Sequence, residues 1–99
     1  MMWRQGDVFI APVPAAPKGA KPSPGGVLVE GEVTGHSHRV ADLRTAEVLE
    51  AGDELFLRVL ADATTIVHQE HGPIALPRGT YRVWGQREYS PEAIRRVLD

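Results

Sequence analysis

The residues best suited to chemistry are four histidines in two short segments: His36 and His38 in GHSHR, His68 and His71 in VHQEHG. Neutral imidazole is a ligand for Zn, Cu, Fe and Ni. On a strand, residues two apart point to one face, so His36 and His38 would present two imidazoles side by side. His68 belongs to a second strand-like segment. His71 lies three residues further on and reaches the same side only if the chain bends before Gly72. Three imidazoles with an open position would resemble a catalytic metal centre, and four with none a structural one. Glu70 and Asp42 are candidate extra ligands or acceptors for a ring N–H. The spacing therefore predicts a divalent transition metal (Zn, Ni or Fe) on His36, His38, His68 and His71, with Glu70 or Asp42 in support. The competing reading is of turn-proximal, exposed histidines that hydrogen-bond one another and carboxylates.

Other chemistries find less support. The chain has no cysteine, which excludes disulfides, thiolate zinc sites and cysteine nucleophiles. His68-Gln69-Glu70-His71 does not follow the HExxH order of the zinc proteases, and its surroundings are too β-rich for that helix. No Ser/His/Asp order is recognisable, and the HxS/T spacing of histidine phosphoester chemistry is not met. Gly25-Gly26 lacks the Lys and the following helix of a phosphate loop. Gln86, Arg87, Glu88 and Tyr89 read as an exposed strand face with cross-strand ion pairs. Trp3 and Trp84 read as core or interface anchors.

The elements that must position the histidines are strands. Val8 to Val13 is rich in β-branched and aromatic residues. Residues 14 to 26, PAAPKGAKPSPGG, are expected to form a surface loop without regular structure. Val27 to Val33, His36 to Ala41, Glu47 to Glu50, Glu54 to Leu60, Thr64 to Gln69 and Thr80 to Tyr89 follow as strands. Ala61-Asp62-Ala63 is read as a break, and Pro77-Arg78-Gly79 as a turn. Arg39, beside the HxH, should point away from it into solvent. The C-terminal SPEAIRRVLD reads as a short helix or as a last strand. Short strands with regular turn signals predict an all-β domain, a small barrel or sandwich spanning residues 1–99.

Composition sets the outer bounds. Ninety-nine residues fit one domain, and the apolar fraction of 42% and charged fraction of 24% are ordinary for a globular chain. The net charge of -2 gives no sign of the basic patch that a nucleic-acid partner requires. No apolar run approaches the length that spans a membrane. The segment MMWRQGDVFIAPV lacks the long apolar stretch of a signal peptide, so the expected location is the cytoplasm. A core this small is often supplemented by oligomerisation, and a homo-oligomer is expected.

Two resemblances attach to these residues. A Gly shortly before His36-Ser37-His38, with Pro77 and Gly79 downstream as a PxG, is similar to the cupin pattern. Cupins are small β-barrels that often hold a divalent metal with both histidines of an HxH, a carboxylate and a later histidine. The likeness implies His36 and His38 as ligands and a cupin-type metal-dependent enzyme as one reading. Here Gly31 lies one residue too close to the HxH. Asp42 stands where a Glu belongs, Arg82 stands where the last His belongs, and His68 and His71 precede the PxG. The second likeness is more specific. GEVTGHSHR … VHQEHGPIALPRGTYRVWGQREY resembles a group of small uncharacterised bacterial and phage-associated all-β proteins, and it implies a shared fold without an activity. Three functions follow as expectations: a metal-binding β-barrel, a self-assembling interaction protein with histidines near subunit contacts, and a cupin-type enzyme. The sequence shows no general base beyond the ligands, which places catalysis last.

Overall fold

The longest strand sets the plan of the molecule. In a computed structural model, which describes residues 1–30 and 37–85, eight strands form one antiparallel sheet. They are β1 (Trp3–Gln5), β2 (Val8–Val13), β3 (Lys21–Ser23), β4 (Val27–Glu30), β5 (Ser37–Val40), β6 (Ala46–Ala51), β7 (Glu54–Val67) and β8 (Ile74–Gly85). The order is β1-β2-β8-β7-β5-β4, and β6 pairs with both β7 and β3. β8 runs along both halves of β7. The other side of β7 is shared: its first half pairs with β6 and its second half with β5.

A bulge makes that sharing possible. The β7–β8 register shifts between Val59 and Ala63. Before the shift Leu57 and Val59 are buried; after it Thr64 and Ile66 are. The residues that β7 gives to the central core thus change from odd to even numbers across the irregularity, while Phe56 is buried on the other face. The backbone of the bulge is satisfied locally. Leu60 and Ala61 both donate their N–H to the Thr45 carbonyl, at 2.8 and 3.2 Å. Arg78 donates to the Ala61 carbonyl and to Asp62 Oδ1. The Ala-Asp-Ala segment expected to break the strand therefore bends it. Pro77-Arg78-Gly79, expected as a turn, lies inside β8, where Gly79 has a φ of +153° that other residues rarely adopt.

The core is a single cluster enclosed by the curling sheet: Val8, Ile10, Leu28, Val40, Ala46, Val48, Leu57, Val59, Ile66, Leu76, Tyr81 and Val83. Trp3 packs on it edge-on to Tyr81, with ring centroids 5.5 Å apart. The all-β class is as expected, but among the described residues the sheet does not close, so the barrel is corrected to an open sheet. The expected loop at 14–26 contains β3, whose Pro22 is tolerated because the strand pairs only with β6 among the described residues. Among the described residues there is no helix, and none long and apolar enough to cross a membrane. The C-terminal helix-or-strand expectation, the 86–89 polar face and His36 lie outside the described residues.

Candidate functional site

One corner of the sheet gathers three of the histidines that the sequence singled out, His38, His68 and His71. It is built by three pieces: the β1–β2 turn, strand β5, and the chain from the end of β7 to β8. Gln5 pairs with Val8 across the two-residue turn Gly6-Asp7. A glycine at the first turn position, here with φ +63°, matches the twist of the flanking strands. This glycine has a second role. A Cβ at Gly6 would stand 2.5 Å from His71 Nε2, so the histidine ring packs directly on the bare turn.

Gln5 holds the corner together. Its side chain is buried, and its amide nitrogen donates to the Ile66 carbonyl at 3.0 Å and the Gly72 carbonyl at 2.9 Å. With both amide hydrogens committed, Oε1 must face the remaining partner, His38 Nδ1, at 2.8 Å. An oxygen acceptor there requires Nδ1 to carry the hydrogen. His38 is therefore held as the Nδ1–H tautomer, with a lone pair on Nε2. That Nε2 lies 4.0 Å from Asp7 Oδ1 and forms an ion pair with it only when protonated. His38 is 4% exposed. Burial lowers its pKa from 6.5 to about 4, the charges of His68 and His71 push the same way, and Asp7 opposes them.

His68 takes the opposite tautomer. Its Nδ1 accepts the backbone N–H of Glu70 at 3.0 Å and of His71 at 3.3 Å, closing the turn after β7. Its hydrogen belongs on Nε2. The turn carries His71 back over the corner. Ring centroids are 4.2 Å apart for His38 and His68, 4.7 Å for His68 and His71, and 6.1 Å for His38 and His71.

This arrangement overturns the metal reading. Imidazole ligands must aim their nitrogens at one point about 2 Å away. Here the rings lie tilted over one another, at 36° for His38 and His68 and 37° for His68 and His71, His38 Nδ1 is committed to Gln5, and His68 Nδ1 is committed to backbone. Among the described residues no group of three or more His, Asp or Glu side chains is arranged to hold a metal ion. The expected Zn, Ni or Fe on His38, His68 and His71 is corrected to a hydrogen-bonded ring stack with one buried His–Asp contact. Asp42 is elsewhere, chelated by Arg44 through both carboxylate oxygens. Glu70 gives its backbone N–H to His68. The cupin-type ligand set fails with the metal: Arg82, at the place of the last cupin histidine, pairs with Glu54.

Strand β5 presents a different surface on its other side. Arg39 is exposed and makes no ion pair with any of the side chains that the structure describes. Its Nε and Nη2 donate to Ser37 Oγ at 3.3 and 3.2 Å. The Ser37 backbone N–H in turn donates to Gln69 Oε1 at 2.9 Å. Ser37, Arg39, Val67, His68 and Gln69 line an open cavity of about 270 Å³.

Sequence reasoning missed Gln5, Gly6 and Asp7. The available signal was the glycine-containing two-residue link Gly6-Asp7 between Gln5 and Val8, a hairpin pattern that brings the N-terminal strand back on itself. Its partners, 33 to 67 residues downstream, left no local trace. No curated protein and no solved structure matches the chain. Residues 4–86 match a family described as Domain of unknown function (DUF8820). This stretch takes in β1 to β8 almost whole, with the Gln5 corner and the Arg39 cavity, and the chain belongs to that family.

Proposed function

We propose that this protein is a non-catalytic recognition module that binds its target at the cavity between β5 and the end of β7. The observation that carries this reading is Arg39. A guanidinium without a carboxylate partner among the described side chains is pinned by Ser37 at the rim of a cavity of about 270 Å³. Surface arginines held in one orientation retain the planar fork that suits specific recognition. His68 both lines this cavity and caps the turn that follows Gln69. The test is a fragment screen read by 1H–15N NMR on the whole chain. Hits should perturb the amides of Ser37, Arg39, Val67, His68 and Gln69 together. Hits that cluster only elsewhere would remove the reading.

A second reading is self-association. The sheet is open, and β1, β3 and β4 each have a strand partner on one side only among the described residues. Such edges pair with other strands unless blunted, as β3 is by Lys21 and Pro22. Light scattering at pH 8 and pH 5.5 decides it: a strict monomer at both values ends this proposal.

A further inference from the structure

We infer that the ligand of the β5–β7 cavity is a monocarboxylate with a compact apolar body. The inference rests on the recognition reading above and names its chemistry. Arginine has five N–H groups in a plane. The edge formed by Nε and Nη2 is turned to Ser37 Oγ. The opposite edge, formed by Nη1 and the outer hydrogen of Nη2, keeps the spacing of a carboxylate's two oxygens. Gln69 adds a further donor in a fixed place. Its Oε1 is engaged by the Ser37 N–H, so the amide nitrogen turns to the other side. The cavity thus offers donors and one full positive charge, and no described carboxylate lines it. Val67 brings an apolar side chain to the lining residues. A single cation beside an apolar wall matches a single negative charge on a short branched or aromatic body. A dianion would leave half its charge uncompensated. Ser37 is buried, so the platform on which Arg39 rests is part of the folded core and not a mobile surface contact.

The carboxylate could come from a free small acid or from the C-terminus of a peptide, and the experiment separates them. The full chain is titrated by 1H–15N NMR with isovalerate, N-acetylvaline, inorganic phosphate and isovaleramide. The expected result is saturable movement of the Ser37, Arg39 and Gln69 amides with isovalerate, N-acetylvaline or both. Isovalerate alone assigns a free acid, and N-acetylvaline alone assigns a chain end. Arg39→Gln should weaken binding at least tenfold and leave the rest of the spectrum in place. Arg39→Lys, which keeps the charge and loses the fork, should fall in between. Equal binding of isovaleramide, tighter binding of phosphate, or an unchanged affinity in Arg39→Gln would overturn the carboxylate assignment while leaving a recognition site. If none of the four probes moves these amides, the carboxylate assignment is overturned as well. The fragment screen then decides whether any recognition site remains there.

Discussion

His38 and Arg39 are neighbours on one strand and have met opposite fates. His38 points into the corner, where Gln5 accepts its ring hydrogen and the core surrounds it. Arg39 points out, held by a serine hydroxyl and facing an open cavity. A buried polar group must have its hydrogen bonds completed by the protein, because water cannot reach it. An exposed one can keep capacity in reserve. The more histidine-rich and apparently more chemical side of β5 is therefore the structural side, and the plainer side carries the recognition surface.

The comparison predicts unequal sensitivities. The largest belongs to Gln5. Gln5→Leu keeps the bulk but leaves the His38 Nδ1–H and the Ile66 and Gly72 carbonyls short of a partner, which should cost on the order of 3 kcal/mol. Urea unfolding measures it, and a loss below about 1 kcal/mol would show that the corner is not a coupled network. Acid comes next. The His38 pKa is about 4 in the fold and 6.5 without it, so the unfolded chain binds more protons between those values. Stability is full above pH 6.5 and falls as pH drops toward 4, by up to about 3 kcal/mol from this residue. His38→Gln should flatten that part of the profile. Asp7→Asn, which removes the carboxylate favouring the charged ring, should deepen it. A pH-independent melting temperature in this range would contradict the burial of a neutral ring.

Gly6→Ala is expected to cost about 1–2 kcal/mol, from the positive φ and from the contact with His71. Combining it with His71→Ala should recover the steric part and leave the backbone part, a non-additivity that a double-mutant cycle reads directly. The smallest effect is on the other side of the strand. Arg39→Gln should change stability by less than about 0.5 kcal/mol. A stability loss comparable to that of Gln5→Leu would erase the contrast between the two faces.

The sequence made one level of this arrangement readable. Alternation on β5 placed Arg39 outside, and the β-branched run at Thr64 to Ile66 marked a strand. What it concealed was continuity and distance. A break at Ala61-Asp62-Ala63 looks the same as a bulge until Thr45 and Arg78 are seen to satisfy its backbone. Two pairs of histidines suggested ligands because imidazole is a good ligand. Whether nitrogens converge or rings stack depends on ring rotation, and that is set here by Gln5 and by backbone N–H groups, which no spacing rule encodes.

The Gln5 clamp also bears on the order in which the chain assembles. Gln5 lies near the start, and its partners are 33, 61 and 67 residues later. Closing so long a loop is entropically slow, so these bonds form after the β7–β8 hairpin is in place. On a ribosome, the Gln5 clamp cannot be completed until Gly72 has emerged. Gln5→Leu should then leave the refolding rate nearly unchanged and accelerate unfolding, a partition that stopped-flow kinetics resolves. The clamp acts as a latch on a finished fold: it sets how long the native state lasts, not how quickly it is found.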